Sequence, residues 1–281
     1  MISKPIRLVN DTINKEDIDH LIKWLSTNPQ LTKGPKTIEF QEAWSKWQGR
    51  KYSVFVNSGS SANLAMLYAL MMSGRLKNKK VVVPAVSWVT TVAPVIQLGL
   101  EPLMCDADPD TLGVDVQHLK EIITANKPSV LLIVHVLGFP NKMKEIGELC
   151  KEHDVILLED SCESMGSTYE GWKTGNFGLM SSFSTYFGHH YSTIEGGLVN
   201  TDDEELYHLL LSIRSHGWDR DLPEKKRKEL RDSVNVSEFR ALYTFYYPGF
   251  NLRSTDLQAV IGLRQLERLD AIVEKRNKNF I

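Results

Sequence analysis

The stretch Phe183-Ser184-Thr185-Tyr186-Phe187-Gly188-His189-His190-Tyr191-Ser192-Thr193-Ile194-Glu195-Gly196-Gly197 is the most informative in this chain of 281 residues. Leu179–Tyr186 reads as a strand, and Gly197–Asn200 as a second one around the turn signal at Gly196-Gly197. Two adjacent histidines, His189 and His190, stand between the strands. Taken alone, they read as a structural pair. Metal ligation is a second reading, but neighbouring side chains diverge and no third ligand stands at a recognisable spacing, so no metal is expected.

Working outward, short apolar runs alternate with amphipathic segments, which is an α/β rhythm. Strands are predicted at Ser53–Asn57, Val81–Pro84, Glu101–Cys105, Val130–His135 and Val155–Glu159. Their Val, Ile and Leu content suits a mainly parallel sheet sandwiched by helices. Helices are predicted at Ser61–Ser73, Thr90–Leu98, Asp115–Ala125, Met143–His153 and Asp203–Ser215. Arg220 to Phe250, polar and then aromatic, has no clear period and reads as a long functional loop. Thr255–Phe280 reads as one long helix with Ser254 or Thr255 as its N-cap.

Composition excludes several classes. The chain is 42% hydrophobic and 24% charged, with a net charge of −2. That suits a sizeable core and gives no nucleic-acid footprint. The basic cluster Lys225-Lys226-Arg227-Lys228 is interleaved with Glu224 and Glu229 and reads as a solvated face. Cys105, Cys150 and Cys162 form no C-x-x-C pair and no disulfide framework, so a reducing compartment, the cytoplasm, is expected. Met1–Arg7 lacks a secretory apolar core, and runs such as Leu64–Met72 fall short of a membrane span.

Four further places carry candidate chemistry. Asn57-Ser58-Gly59-Ser60-Ser61-Ala62-Asn63 lies between a strand and a helix. Gly59 permits close backbone approach, Ser60 adds a hydroxyl, and the helix start offers free N–H groups, so phosphate is a natural guest; the plain alternative is a serine N-cap. Asp160 closes a strand in Leu157-Leu158-Glu159-Asp160-Ser161-Cys162-Glu163. A buried Asp there calls for a cationic partner, such as a protonated ring nitrogen; the alternative is a cap on a following helix. Trp88, after Pro84-Ala85, can stack on a flat ring or fill core. Ser184 stands five residues before His189.

In order and spacing these residues together resemble the sugar aminotransferases of the DegT/DnrJ/EryC1/StrS family. The likeness extends to Pro248-Gly249-Phe250-Asn251-Leu252-Arg253 and covers nearly the whole chain. It implies the pyridoxal-phosphate (PLP)-dependent transferase fold of aspartate aminotransferase type I, with residues 1–253 as the large cofactor domain. Residues 254–281 would be a helix leading toward a small C-terminal domain that is absent. The resemblance further implies that Gly59, Ser60 and Ser184 hold the cofactor phosphate. Asp160 would pair with the pyridine nitrogen, Glu163 would lie near the ring hydroxyl and Trp88 would stack. Asn251 would reach over from the second subunit of a homodimer.

The family's cofactor lysine is replaced here by His189. An imidazole forms no stable Schiff base, yet still carries a proton. The His variant is similar to 3-dehydratases of nucleotide-linked 4-keto-6-deoxysugars. There, L-glutamate converts PLP to pyridoxamine phosphate (PMP), the base moves the proton at the cofactor's C4′ carbon, and hydroxide leaves C3. A sister group needs an iron–sulfur cluster, for which three scattered cysteines supply no ligand set. His190, with Thr185 as its hydroxyl, is the alternative base. Competing functions are a nucleotide-sugar aminotransferase that tolerates His, a non-catalytic PLP- or sugar-binding relative, and a metal-dependent hydrolase using both histidines.

Overall fold

A computed structural model of the chain describes residues 9–280. Helices α1 (Lys15–Leu25) and α2 (Pro35–Gln48) precede β1 (Tyr52–Val56). There follow α3 (Gly59–Met72), β2 (Lys80–Pro84), α4 (Val89–Gln97), β3 (Glu101–Cys105), α5 (Val116–Asn126), β4 (Val130–Val134), α6 (Met143–Glu152) and β5 (Ile156–Asp160). A small hairpin, β6 (Thr168–Tyr169) with β7 (Trp172–Lys173), leads to β8 (Met180–Ser184), β9 (Gly197–Thr201) and α7 (Glu204–Ile213). The chain closes with α8 (Glu224–Ser233), α9 (Glu238–Ala241), α10 (Asp256–Leu266) and α11 (Leu269–Phe280).

Seven strands form one sheet in the order β1-β9-β8-β5-β4-β2-β3. Only β9 runs against the others. Alternate strand residues face opposite layers, as the pleat requires. Val130 and Leu132 point toward α3 and α7, while Leu131 and Ile133 point toward α5 and α6. Helix α3 lies deep in its layer: Ala62, Ala65, Met66, Leu67, Ala69 and Leu70 are all buried. A third cluster, with Phe40, Trp44, Phe55, Phe183 and Tyr191, sits under α2 and α10.

The predicted strands and helices between Ser53 and Ser215 appear with their ends shifted by a residue or two. Elsewhere the structure departs from the sequence reading. Arg220–Phe250 is not one loop, since it contains α8 and α9. No residue of α8 is buried, so it carries no apolar stripe to betray its period; its marks are Pro223 before the start, Glu224 in the first turn and Arg231 in the last. The predicted helix over Thr255–Phe280 is two helices. At the break the Arg268 N–H bonds the Gln265 carbonyl, three residues back instead of four, at 3.1 Å. Thr255, not Ser254, is the N-cap, and with Gln258 it forms a capping box.

Helices α1 and α2 went unpredicted, although Asn14 and Asp17 form a capping box and Pro35 and Gly49 bracket α2. The N-cap of α2 is Gly34, which has no side chain to offer. Asp256 of α10 supplies the missing acceptor, taking the N–H groups of Gly34 at 2.7 Å and Thr37 at 2.9 Å. The two helices are thereby locked together.

Behind the site, Glu159 and His135 are both fully buried, with His135 Nε2 3.0 Å from the carboxylate. Asn141 donates its N–H to His135 Nδ1 at 3.2 Å, so Nε2 is the nitrogen that carries hydrogen. Glu159 also takes the N–H groups of Gly175, Phe177 and Gly178 at 2.6–2.7 Å. Burial pushes its pKa up, but His135 and these amides outweigh it and hold the carboxyl below its ordinary 4.5. The stabilisation is therefore complete above that value and is lost as pH falls through the depressed pKa. Glu159→Gln should destabilise the protein by about 3 kcal/mol in urea unfolding at pH 7. The difference from wild type should shrink as the pH falls below the ordinary 4.5 and through the depressed pKa.

Candidate active site

The carboxyl ends of β4, β5 and β8 meet the start of α3 around a cavity of about 360 Å³. Sheet register brings them there: Asp160 pairs with Ser182, and Ser184 and Val56 both pair with Gly197. Such a crevice beyond the strand ends is where open α/β sheets bind ligands.

At one end lies the turn before α3. Ser58 is the N-cap, accepting the Ser61 N–H at 3.0 Å, and the helix begins at Gly59, two residues earlier than predicted. The first-turn amides have no acceptor within the helix and present partial positive charge. Gly59 is required by space: a Cβ there would lie 2.5 Å from Ser184 Cβ. Ser60 Oγ meets Thr90 Oγ1 at 3.2 Å. Gly59, Ser60 and Ser184 thus share one wall.

Asp160 forms the floor. Its Oδ2 accepts from Asn63 Nδ2 at 2.7 Å and Thr91 Oγ1 at 2.8 Å, and its Oδ1 from the Cys162 N–H at 3.1 Å. A turn follows, not a helix, so the capping alternative falls away. The carboxylate is 3% exposed and has no salt-bridge partner among the described residues. Trp88 is 68% exposed at the mouth, so it is not core. Glu163 also lines the cavity, with one oxygen accepting the Leu137 N–H at 2.6 Å. A phosphate-suited helix start, a buried carboxylate needing a cation and an open aromatic face fit a flat phosphorylated heterocycle with a basic ring nitrogen, as PLP is.

The two histidines part company. His189 opens onto the cavity with Asp160 and Ser184. His190 turns into a separate cleft with Thr12 and Arg276, and its Nδ1 is buried without a partner. Thr185, the hydroxyl that would have served His190, is buried and bonded to Thr193 Oγ1 at 2.5 Å. Burial lowers the His189 pKa and Arg276 adds to the lowering, against an opposing pull from Asp160. Burial drives His190 down to about 3, helped by Arg276 and His189. No lysine stands among the described residues lining the cavity.

Asn251 lies outside this cavity, exposed and bridged to Ser215. Sequence reasoning passed over Asn63 and Thr91, which orient Asp160, and Tyr186 and Glu195, which line the cavity. Asn63, Tyr186 and Glu195 lie inside the motifs quoted above, whereas nothing local marks Thr91. Cys105, Cys150 and Cys162 are free thiols, and burial raises the pKa of each. Among the described residues no three His, Cys, Asp or Glu side chains gather as a metal site, and no helix is long and apolar enough to cross a membrane.

Comparison with known proteins agrees with this geometry. The model of the DegT/DnrJ/EryC1/StrS aminotransferase family matches residues 11–281. The chain belongs to this family. Among its members, GDP-4-keto-6-deoxy-D-mannose 3-dehydratase of Yersinia pseudotuberculosis is 40% identical over 99% of this chain and 70% of its own. A solved E. coli GDP-4-keto-6-deoxy-D-mannose-3-dehydratase with bound hydrated PLP superposes with a TM-score of 0.91 at 39% identity, covering 98% of this chain and 70% of the other. A GDP-4-keto-6-deoxymannose-3-dehydratase with a trapped PLP-glutamate geminal diamine superposes with a TM-score of 0.87 at 39% identity, over 95% of this chain and 69% of that one. The fold is the α/β fold of these PLP-dependent proteins.

In the cofactor-free protein, NMR titration of the imidazole C–H signals should place His189 below the ordinary 6.5. Asp160→Asn removes the charge that opposes the lowering, so His189 should then titrate lower still. An upward shift in that variant would contradict the electrostatics described.

Proposed function

We propose that this protein is a PLP/PMP-dependent 3-dehydratase of a nucleotide-linked 4-keto-6-deoxyhexose. L-Glutamate is the amino donor, and the pathway is deoxysugar biosynthesis of the lipopolysaccharide type. GDP-4-keto-6-deoxy-D-mannose, the sugar in the names of the relatives above, is the substrate to test first. The observation that carries the reading is His189, an imidazole lining the same cavity as Asp160, at the position where the resemblance puts the cofactor lysine of family aminotransferases.

The bound cofactor supplies an amine and a ring that draws electrons from the reacting carbons. The residues divide the remaining work. Gly59 and Ser60 at the start of α3, with Ser184, hold the phosphate. Asp160, fixed by Asn63 and Thr91, keeps the pyridine nitrogen protonated. Glu163 stands by the ring hydroxyl and Trp88 covers the ring face. His189, uncharged near neutrality, takes the Cα proton of glutamate and moves the proton at the C4′ carbon. With no lysine tether, the cofactor is held by non-covalent contacts.

Atoms balance across the cycle. The oxygen lost from sugar C3 equals the oxygen gained as glutamate becomes 2-oxoglutarate and ammonia. The working unit is a cytoplasmic homodimer in which Asn251 of the second copy completes the phosphate site. Exposed Phe239 and Tyr243, at 83% and 78%, support such a contact surface.

Incubation with PLP, borohydride reduction and intact-mass measurement should leave wild type unmodified, whereas His189→Lys should retain one phosphopyridoxyl group. With glutamate and the ketosugar, wild type should release ammonia and a 3-deoxy sugar. A stable aminosugar would favour the aminotransferase instead. His189→Asn should lower deoxysugar formation by about 10²–10⁴-fold; an unchanged rate would remove His189 from its role.

A further inference from the structure

His189 sits in a loop, residues 185–196, that has no regular structure of its own. Backbone bonds close its base: Thr185 N–H to Gly196 O, and Thr193 N–H to Thr185 O, both at 2.9 Å. The span between is held from outside, by the C-terminal helices. Gln258 of α10 donates to the Glu195 carbonyl at 2.5 Å, and Arg276 of α11 reaches the His189 carbonyl at 3.4 Å. The central member is Gln265 of α10. Its Oε1 accepts the Ser192 N–H at 3.2 Å, and its Nε2 donates to the Ser192 carbonyl in a short bond.

One side-chain amide therefore satisfies both backbone groups of Ser192, as a neighbouring strand would. Gln265 is fully buried, and its Oε1 also takes the Thr12 hydroxyl at 2.7 Å. Helix α10 can come this close because residue 262 is glycine: a Cβ there would lie 2.8 Å from Phe40 and 3.0 Å from Thr193. Nothing in the proposed chemistry uses this amide. Its placement makes sense if the loop must hold one shape, because a base displaced by about an ångström loses much of its rate.

We propose that Gln265 is a positioning residue for His189, fixing through the Ser192 backbone the loop that presents the imidazole to the reacting carbon. This rests on His189 being the base, as proposed above. Replacing Gln265 with methionine keeps the volume and removes both bonds.

Three measurements test it on the full chain. In the cofactor-free protein, mass-spectrometric hydrogen exchange should show faster exchange in the Ser192 segment of Gln265→Met, with β5 and β8 unchanged. In the PLP-loaded enzyme, kcat should fall about 100-fold. The deuterium isotope effect on kcat with [2-²H]glutamate should rise, because a misplaced base makes proton transfer more rate-limiting. Gln265→Glu keeps the acceptor half and should fall between Gln265→Met and wild type. A drop in kcat that tracks lost folded protein, with the isotope effect unchanged, would mean that Gln265 serves stability alone and would overturn the proposal. So would unaltered exchange at Ser192. If His189→Asn retains full turnover, the base assignment fails, and the exchange experiment still decides whether the amide orders the loop.

Discussion

The structure depends on the reversal of β9 within an otherwise parallel sheet. Because β9 runs against its neighbours, its first residue, Gly197, pairs with the last residue of β8 on one side and of β1 on the other. The phosphate-suited turn after β1 and the histidine loop after β8 are thereby brought to the same edge as Asp160. The closeness is extreme. A Cβ on Gly197 would lie 2.2 Å from the Ser58 carbonyl, so only glycine lets strand and turn meet.

Around that edge the protein combines opposite electrostatic demands. In the proposed function Asp160 meets a cation, and it is held by neutral donors, Asn63 and Thr91, which orient it without cancelling its charge. In the proposed function His189 takes up a proton, and burial lowers its pKa below the ordinary imidazole value. The carboxylate nearby raises the imidazole's affinity for a proton and so works against the burial. One strand position away, Glu159 faces the opposite layer and is saturated with donors. Two adjacent acids in sequence thus have unlike fates, one locked into structure and one left for chemistry.

Much of this could be read from the residues. The alternation of apolar runs and amphipathic segments was enough to expect an α/β sheet, and the family resemblance picked out Gly59, Ser60, Trp88, Asp160, Glu163, Ser184 and His189, which line the cavity, along with Asn251, which does not. What could not be read has physical reasons. Helix α8 carries a single apolar side chain, Leu230, so periodicity is silent there. The break at Arg268 depends on one hydrogen bond shifting by a residue. His189 and His190 are neighbours in sequence, and only three dimensions send one into the cavity and the other into a separate cleft. Gln265 acts on a segment more than seventy residues earlier, and no local pattern records such a contact.

The pairing of β1 with β9 also bears on how the molecule comes into being. Tyr52 meets Thr201 across the sheet, so β1 has no strand partner in it until β9 has left the ribosome. Closing so long a loop is slow and leaves apolar strand edges exposed in the meantime. A nascent chain that stalls before Thr201 would carry an unpaired β1 and no binding crevice. Vitamin B6 can reward folding only once synthesis of the sheet is complete.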